Sequence, residues 1–158
     1  MNRLGITLLM VSKGMTFFRA GEEMLRTKGG DENSYKSSDE VNNIDWSVLN
    51  DDTIHNDMIL YYKGLIEMRK SLDIFTVITY EKQTEGRCTI TFDDGKGGQA
   101  LVISNPIGAN IPTDLEGRWY MICDGFTVDL ENPELVEGSL RLPTYGAVIL
   151  VNAELLNR

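Results

Sequence analysis

The chain has 158 residues, of which 42% are hydrophobic and 25% charged, a composition typical of folded globular proteins and unlike that of disordered or fibrous ones. Its 24 acidic and 15 basic residues give a net charge of −9, so it repels phosphate backbones and we expect no nucleic-acid partner. No apolar run approaches the roughly 20 residues of a membrane span, so we expect no membrane partner either. Residues 8–11, the longest such run near the start, lack the flanks of a signal peptide.

Helical periodicity dominates the first half of the chain. An amphipathic helix is predicted by apolar residues at spacings of three and four: Ile54, Met58, Tyr61, Leu65, Met68 and Leu72. Residues 51–53, Asp-Asp-Thr, are expected to cap its start. Gly64 within it costs about 1 kcal/mol in helix propensity, which indicates a close packing contact at that turn. Residues 3–12 predict a further helix that ends at Ser12, and residues 15–19 a short buried strand.

A long polar segment, residues 26–50, separates the predicted strand from the amphipathic helix. Loops of this length are uncommon in compact domains unless they are functional or disordered. Tyr35 and Trp46 lie within it, and disordered linkers rarely carry such side chains. The segment is therefore predicted to be an ordered functional loop.

Short alternating runs separated by Gly and Asp turns dominate the second half. Strands are predicted near residues 74–80, 88–92, 100–104, 119–123, 140–142 and 147–151. Five to seven such strands favour an antiparallel sandwich. Cys88 and Cys123 match no metal or redox spacing and are expected to be core residues, with a disulfide possible only if neighbouring strands bring them together.

The residue types alone give little catalytic signal. His55 is the only histidine and has no nucleophile near it in the sequence, so we interpret it as a structural or exposed residue, and no metal site is predicted. The adjacent carboxylates Glu22 and Glu23 point in divergent directions, unlike the facing pair of a glycosidase, and a turn with one structural carboxylate is favoured. Trp119 and Tyr120 are expected to split between the two faces of a strand rather than to form a sugar-stacking platform.

Several stretches nevertheless form a recognisable order. Residues 14–23 read Gly-Met-Thr-Phe-Phe-Arg-Ala-Gly-Glu-Glu, and residues 25–28 read Leu-Arg-Thr-Lys. They are followed by Asn33-Ser34-Tyr35, Ser38-Asp39, Asn42 or Asn43, and Ile44-Asp45-Trp46, while residues 64–70 read Gly-Leu-Ile-Glu-Met-Arg-Lys. The first stretch resembles the eighth barrel strand of family-thirteen glycoside hydrolases, the α-amylase superfamily. The next stretches resemble the loop after that strand in type I pullulanases, and the last resembles the final barrel helix. The second half, with Val-Ile-Ser-Asn at residues 102–105 and Gly-Arg-Trp at 117–119, looks like the family's C-terminal all-β domain.

This resemblance implies an α+β fragment. Residues 1–73 would be the last β/α unit of a (β/α)8 TIM barrel, and residues 74–158 an antiparallel all-β sandwich domain. Family members hydrolyse α-glucosidic bonds by double displacement with three carboxylates on the fourth, fifth and seventh strands. Because the chain would begin after the seventh strand, we expect it to contain no catalytic residue and to be inactive alone. The expected activity of the whole protein is hydrolysis of α-1,6 links in pullulan, starch or glycogen dextrins, without a cofactor.

The resemblance also implies sugar contacts in the loop. Asp39 corresponds to a carboxylate that hydrogen-bonds sugar hydroxyls, and Asn43 lies where some relatives carry Arg; Tyr35 is a third candidate. The competing interpretation is that Asp39 and Asn43 form turns, and that Tyr35 and Trp46 pack in the core. Two other interpretations stay open: the chain is part of an isoamylase or another debranching enzyme, or it is a stand-alone β-sandwich that binds glucan or a protein. Without the other barrel strands, residues 14–25 are expected to self-associate unless the amphipathic helix folds back onto the sandwich.

Overall fold

The computed structural model describes residues 1–50, 54–76, 78–84 and 87–157, so the predicted capping residues 51–53 lie outside the described residues. The α-helices are α1 (Asn2–Val11), α2 (Asp39–Asn42), α3 (Ile54–Ser71) and α4 (Ala153–Leu156). The strands are β1 (Ile78–Thr84), β2 (Arg87–Asp93), β3 (Gln99–Asn105), β4 (Ile111–Cys123), β5 (Glu134–Leu142) and β6 (Gly146–Val151). Single 3₁₀ turns are formed by Glu22–Met24, Lys28–Gly30, Ser34–Lys36, Trp46–Leu49 and Asp73–Thr76. No helix among the described residues is long and apolar enough to cross a membrane.

The two long helices match the periodicity of the sequence. In α3 the buried side chains are Met58, Tyr61, Tyr62, Leu65 and Met68, while Ile54 at its start is exposed. The predicted close contact at Gly64 is confirmed: a Cβ atom at this position would lie 2.7 Å from Cβ of Val128. The glycine therefore lets the helix approach the segment that follows β4 more closely than any larger residue would.

The strands form one antiparallel sheet in the order β1-β2-β3-β6-β4-β5. The central strand β6 is buried along its whole length, as expected for a strand covered on both faces. The leading strand begins at Ile78 rather than at residue 74, because Ile74 and Phe75 belong to a 3₁₀ turn and are buried. No disulfide joins Cys88 and Cys123, which lie on strands β2 and β4, and these strands are not neighbours.

The predicted sandwich consists of one sheet rather than two, because the outer hairpin β4–β5 folds over and packs on the central strands. Of the thirteen residues of β4, those paired with β6 fall between Tyr120 and Cys123, while its first half pairs with β5 alone. Leu115 and Leu142 of this outer hairpin pack with Ile103 and Val148 of the central strands. A register shift between Leu115 and Arg118 allows the hairpin to bend. The helices cover the opposite face.

That opposite face contains the larger apolar cluster. It joins side chains of α1, such as Met10, and of α3, such as Leu65, to strand residues that include Phe92, Val102 and Ile149. The amphipathic helix thus packs on the sheet, the first of the two outcomes expected for its apolar face. Residues on both sides of position 73 contribute to one cluster, and the division into domains 1–73 and 74–158 stays a prediction.

The predicted buried strand at residues 15–19 is wrong for this structure. These residues are in neither helix nor strand, and the side chains of Met15 and Phe17 are 95% and 83% exposed. Among the described residues no strand lies beside this segment, so its backbone has no ladder to join. Phe18 packs against the larger apolar cluster, and its ring lies edge-to-face against that of Tyr62 at a centroid distance of 5.4 Å. The described residues therefore do not show a complete last unit of a barrel, and that assignment stays a prediction.

Candidate functional site

The loop after the exposed segment is ordered by short helices. Helix α2 places Asp39 and Asn43 one turn apart, and the Asn43 amide donates to the Asp39 carbonyl at 2.7 Å. Residues at this spacing share one face of a helix. Both side chains are exposed, and neither forms a hydrogen bond with the described part of the protein. They are therefore available to a ligand.

A cleft of about 380 Å³ lies beside this helix. Its lining includes the polar residues Arg26, Lys28, Glu40, Asn43 and His55. Asp39 and Tyr35 do not line it, so the structure brings only one of the three sequence-predicted residues into the cleft. The cleft mixes charges of both signs with amide and apolar groups, a lining that can hydrogen-bond a neutral, hydroxyl-rich molecule.

Carboxylates around the loop are held in their ionised form by neighbouring hydroxyl groups. The pKa of Glu40 is lowered by a hydrogen bond from the Ser38 side chain, and that of Asp45 by the Ser47 hydroxyl and backbone amide and, less, by the charge of His55. The pKa of Asp31 is lowered in the same way by the Ser37 hydroxyl. All three groups are fully exposed, so solvent screens these effects. Their role is to shape turns rather than to catalyse a reaction.

The aromatic residues of the loop do not pack in the core. Tyr35 is 74% exposed and Trp46 is 64% exposed, so the expectation that they are core residues is wrong. Aromatic rings on a surface near polar groups can stack on the apolar face of a ligand. Trp119 and Tyr120, by contrast, pack against the clusters on opposite faces of the sheet, as their alternation predicts. They form no platform.

The adjacent residues Glu22 and Glu23 lie in a turn, as the sequence analysis predicts. Glu23 Oε2 accepts a hydrogen bond from the Gly21 amide at 2.9 Å, so this carboxylate closes a turn. Gly21 has φ = +93°, and a Cβ there would lie 2.6 Å from Cδ of Arg26, so only glycine fits. Glu23 is therefore a structural carboxylate, as the favoured turn with one such carboxylate predicts.

Sequence reasoning missed the residues that hold the loop together. Arg26, Lys28 and Asn42 each join segments that are distant in sequence: Arg26 Nη1 donates to the Ala20 carbonyl, and its Nη2 to the carbonyls of Val41 and Asn42. The Nε atom of Arg26 is buried without a partner among the described residues. The sequence contained one signal for such residues, the adjacent pair Asn42-Asn43. Neighbouring side chains point in different directions, so an ordered loop can turn one of the two amides inward to hold the loop together.

A second buried polar group lies far from the loop. Tyr61 OH is 2.6 Å from Thr7 Oγ1 and 3.3 Å from Cys123 Sγ, inside the larger apolar cluster. Burial raises the pKa of the Cys123 thiol to about 11, so the reactive thiolate is scarce at neutral pH. This network joins α1, α3 and β4, and its role is structural.

Comparison with known proteins places these features in context. No family model matches the chain. It is 38% identical over 73 residues to the pullulanase of Bacillus subtilis (strain 168), a match that covers 46% of this chain and 10% of that protein. It is 44% identical over 46 residues to chloroplastic pullulanase 1 of Arabidopsis thaliana, covering 29% of this chain and 5% of the relative. The matched part is a small fraction of each curated relative.

Solved structures extend the likeness to nearly the whole chain. The pullulanase of Bacillus acidopullulyticus matches with a TM-score of 0.83 and 25% identity, over 96% of this chain and 20% of that one. Two others have the same fold at lower identity: the type I pullulanase of Bacillus subtilis complexed with maltose (TM-score 0.82, 24% identity, 95% and 23% covered) and the pullulanase of Anoxybacillus sp. LM18-11 complexed with maltotetraose (0.78, 23%, 96% and 23%). In part of its sequence and in nearly all of its fold, this chain is pullulanase-like, and it corresponds to about a fifth of the length of such a structure.

Proposed function

We propose that this chain is part of a starch-debranching glycoside hydrolase of the pullulanase type, which cleaves α-1,6-glucosidic bonds. The observation that carries the proposal is the match to a pullulanase structure over 96% of the chain at a TM-score of 0.83. The identity of 38% over 73 residues to a second pullulanase supports it from the sequence. In this proposal residues 1–73 belong to the end of a (β/α)8 catalytic barrel, and residues 74–158 form its C-terminal β-domain.

Within this enzyme the loop of residues 26–50 binds the glucan. Asp39 would accept hydrogen bonds from sugar hydroxyls, and Asn43 would both donate and accept them, because a carboxylate and an amide suit vicinal hydroxyls. Exposure of both side chains and their common helical face support this role. Tyr35, with its ring exposed, would contact the sugar from outside the cleft. Relatives solved with maltose and maltotetraose make a linear α-glucan the natural candidate ligand.

The catalytic carboxylates of the proposed reaction lie outside these 158 residues. The chain corresponds to 20% of a pullulanase structure, and Glu23, one of its own two adjacent carboxylates, closes a turn. We therefore expect the purified chain to release no reducing sugar from pullulan. Activity that survives repurification and disappears in the Glu22→Gln or Glu23→Gln variant would contradict this assignment.

Glucan binding can be measured on the chain itself. Titration with maltotetraose, followed by nuclear magnetic resonance, should shift the signals of Asp39 and Asn43, whereas β-linked cellotetraose should not. Replacing Asp39 by Ala removes a charged acceptor, and loss of such a hydrogen bond weakens affinity by about tenfold or more. Asp114→Ala removes an exposed carboxylate on β4 and is the matched control.

The outcomes separate cleanly. Weaker maltotetraose binding in Asp39→Ala with wild-type binding in Asp114→Ala supports the loop as the glucan site. Equal weakening in both variants would indicate a general charge effect, and shifts confined to the β-sheet would place the ligand elsewhere. Either result contradicts the assignment of Asp39 and Asn43.

A second candidate function is a module that binds glucan without hydrolysing it. It is favoured by the apolar cluster that unites α1 and α3 with the sheet, because a shared core lets these residues fold as one body. Binding of maltotetraose by the chain fits both candidates. Detectable pullulan hydrolysis when this chain replaces the matched part of the Bacillus subtilis pullulanase favours the enzyme.

A further inference from the structure

We infer that Asn42 and Lys28 are positioning residues that hold the sugar-binding loop in its binding conformation before any ligand arrives. The inference rests on the proposed glucan site but assigns a role to Asn42, which does not line the cleft, and to the bonds that Lys28, a residue of the cleft lining, makes within the loop. It also distinguishes Asn42 from its neighbour Asn43, although the two share one side-chain chemistry.

Both polar atoms of the Asn42 side chain form hydrogen bonds within the protein. Its Nδ2 atom donates to the carbonyl oxygens of Ser34 and Ser37, at 2.7 and 3.0 Å, while its Oδ1 accepts from Lys28 Nζ at 3.0 Å. The two carbonyls belong to the 3₁₀ turn Ser34–Lys36 and the residue after it, so one amide joins that turn to the end of α2. Asn43, one residue later, is exposed.

Lys28 completes the network from the opposite side of the loop. Its Nζ atom donates to the Ser34 hydroxyl as well as to Asn42, so it joins the turn Lys28–Gly30 to both other segments. Ser34, where the bonds converge, is 8% exposed. Its hydroxyl is therefore held by the lysine in a place where water has little access.

The backbone at Lys28 is strained. Its φ is +55°, and that of Leu25 is +57°, a region that residues other than glycine adopt at a cost. Such strain persists only where surrounding contacts over-determine the conformation. The hydrogen bonds of Lys28 to Ser34 and Asn42 are contacts of this kind.

The functional consequence is preorganisation. Asp39 is the first residue of α2, and Asn43 directly follows the helix. The Arg26 guanidinium donates to the carbonyls of the last two residues of α2, and the Asn42 amide ties the end of the helix to the turn Ser34–Lys36. A helix of four residues is not stable alone. A ligand that meets a loop already in its bound shape is spared the ordering entropy, which would otherwise reduce its affinity.

The variant Asn42→Asp tests this inference with a minimal change. Aspartate keeps an oxygen for Lys28 but cannot donate to the carbonyls of Ser34 and Ser37, which then face a carboxylate. In the ligand-free Asn42→Asp variant, the backbone amides of Ser37, Val41 and Asn43 should exchange their hydrogens at least tenfold faster than in the wild type. Asn132→Asp makes the same chemical change at an exposed turn and should alter none of them. Lys28→Met removes the other half of the network and should act like Asn42→Asp.

Maltotetraose affinity, measured on the same proteins, distinguishes positioning from mere structure. We expect the affinity of Asn42→Asp to fall at least tenfold while its melting temperature stays within about 2 °C of that of the wild type, since the loop lies outside the apolar clusters. Unchanged amide exchange overturns the inference, and so does faster exchange with unchanged affinity. If the wild type does not bind maltotetraose although exchange responds as expected, the glucan site fails and the bracing of the loop stands.

Discussion

The contact between Gly64 and Val128 makes a sharp prediction, because two known effects oppose each other there. Replacing a glycine inside a helix by alanine normally stabilises a protein by about 0.5–1 kcal/mol. At Gly64, however, the new Cβ would lie 2.7 Å from Cβ of Val128 and 3.3 Å from both of its Cγ atoms. Carbon atoms prefer separations of about 3.5–4.0 Å, so the helix or the segment around Val128 must move by roughly 1 Å.

The size of the effect follows from these distances. Overpacking of this kind costs about 1–3 kcal/mol, which exceeds the propensity gain. Gly64→Ala is therefore expected to destabilise the protein by up to about 2 kcal/mol. Gly5→Ala in α1 is the matched control, because a Cβ there meets nothing within 4 Å. It should stabilise the protein by about 0.5–1 kcal/mol.

Thermal unfolding followed by circular dichroism can measure both variants. For a chain of this size 1 kcal/mol corresponds to about 2–4 °C, so the two melting temperatures should move in opposite directions. A double-mutant cycle with Val128→Gly, which removes the opposing Cβ, should return a coupling energy of about 1–3 kcal/mol between the two positions. If Gly64→Ala raises the melting temperature as much as Gly5→Ala does, the helix does not pack this closely and the reasoning is refuted.

Two further predictions concern self-association through the exposed residues 14–25 and the stability of the loop at low pH. Although the amphipathic helix packs on the sheet, Met15 and Phe17 stay exposed. Because each is worth about 1.5–3 kcal/mol when buried, we still expect the chain to self-associate through residues 14–25 at millimolar concentration. Light scattering should then find Met15→Ser/Phe17→Ser monomeric and the control Leu60→Ser still associated; a monomeric wild type would contradict this. The second prediction concerns acid. Because folding lowers the pKa values of Asp31, Glu40 and Asp45, their ionisation stabilises the folded loop at pH values above their unfolded pKa values near 4. This stabilisation is lost as the pH falls through the folded pKa values. Trp46 fluorescence in a Trp119→Phe variant should therefore be constant from about pH 7 to 5 and change below about pH 4; a transition centred near pH 6 would contradict this explanation.

Much of the fold could be predicted because its signals are local. The spacing from Met58 to Met68 defines one helical face whatever that face later contacts, and alternation at Trp119 and Tyr120 assigns them to opposite faces of a strand. Gly64 within an otherwise regular helix indicated a close contact, although not its partner. The pullulanase-like order of residues in the loop was likewise visible without coordinates, and the comparisons with pullulanases confirmed that resemblance.

The tertiary structure alone decided what depends on distant parts of the chain. Residues 15–19 have the composition of a buried strand, but a strand needs a neighbour to supply hydrogen bonds, and none is present among the described residues. Tyr35 and Trp46 carry large rings that favour burial, yet their exposure depends on which surfaces other segments already cover. Asn42 and Asn43 are chemically identical, and only the positions of Lys28, Ser34 and Ser37 in space turn one of them inward and leave the other free for a ligand.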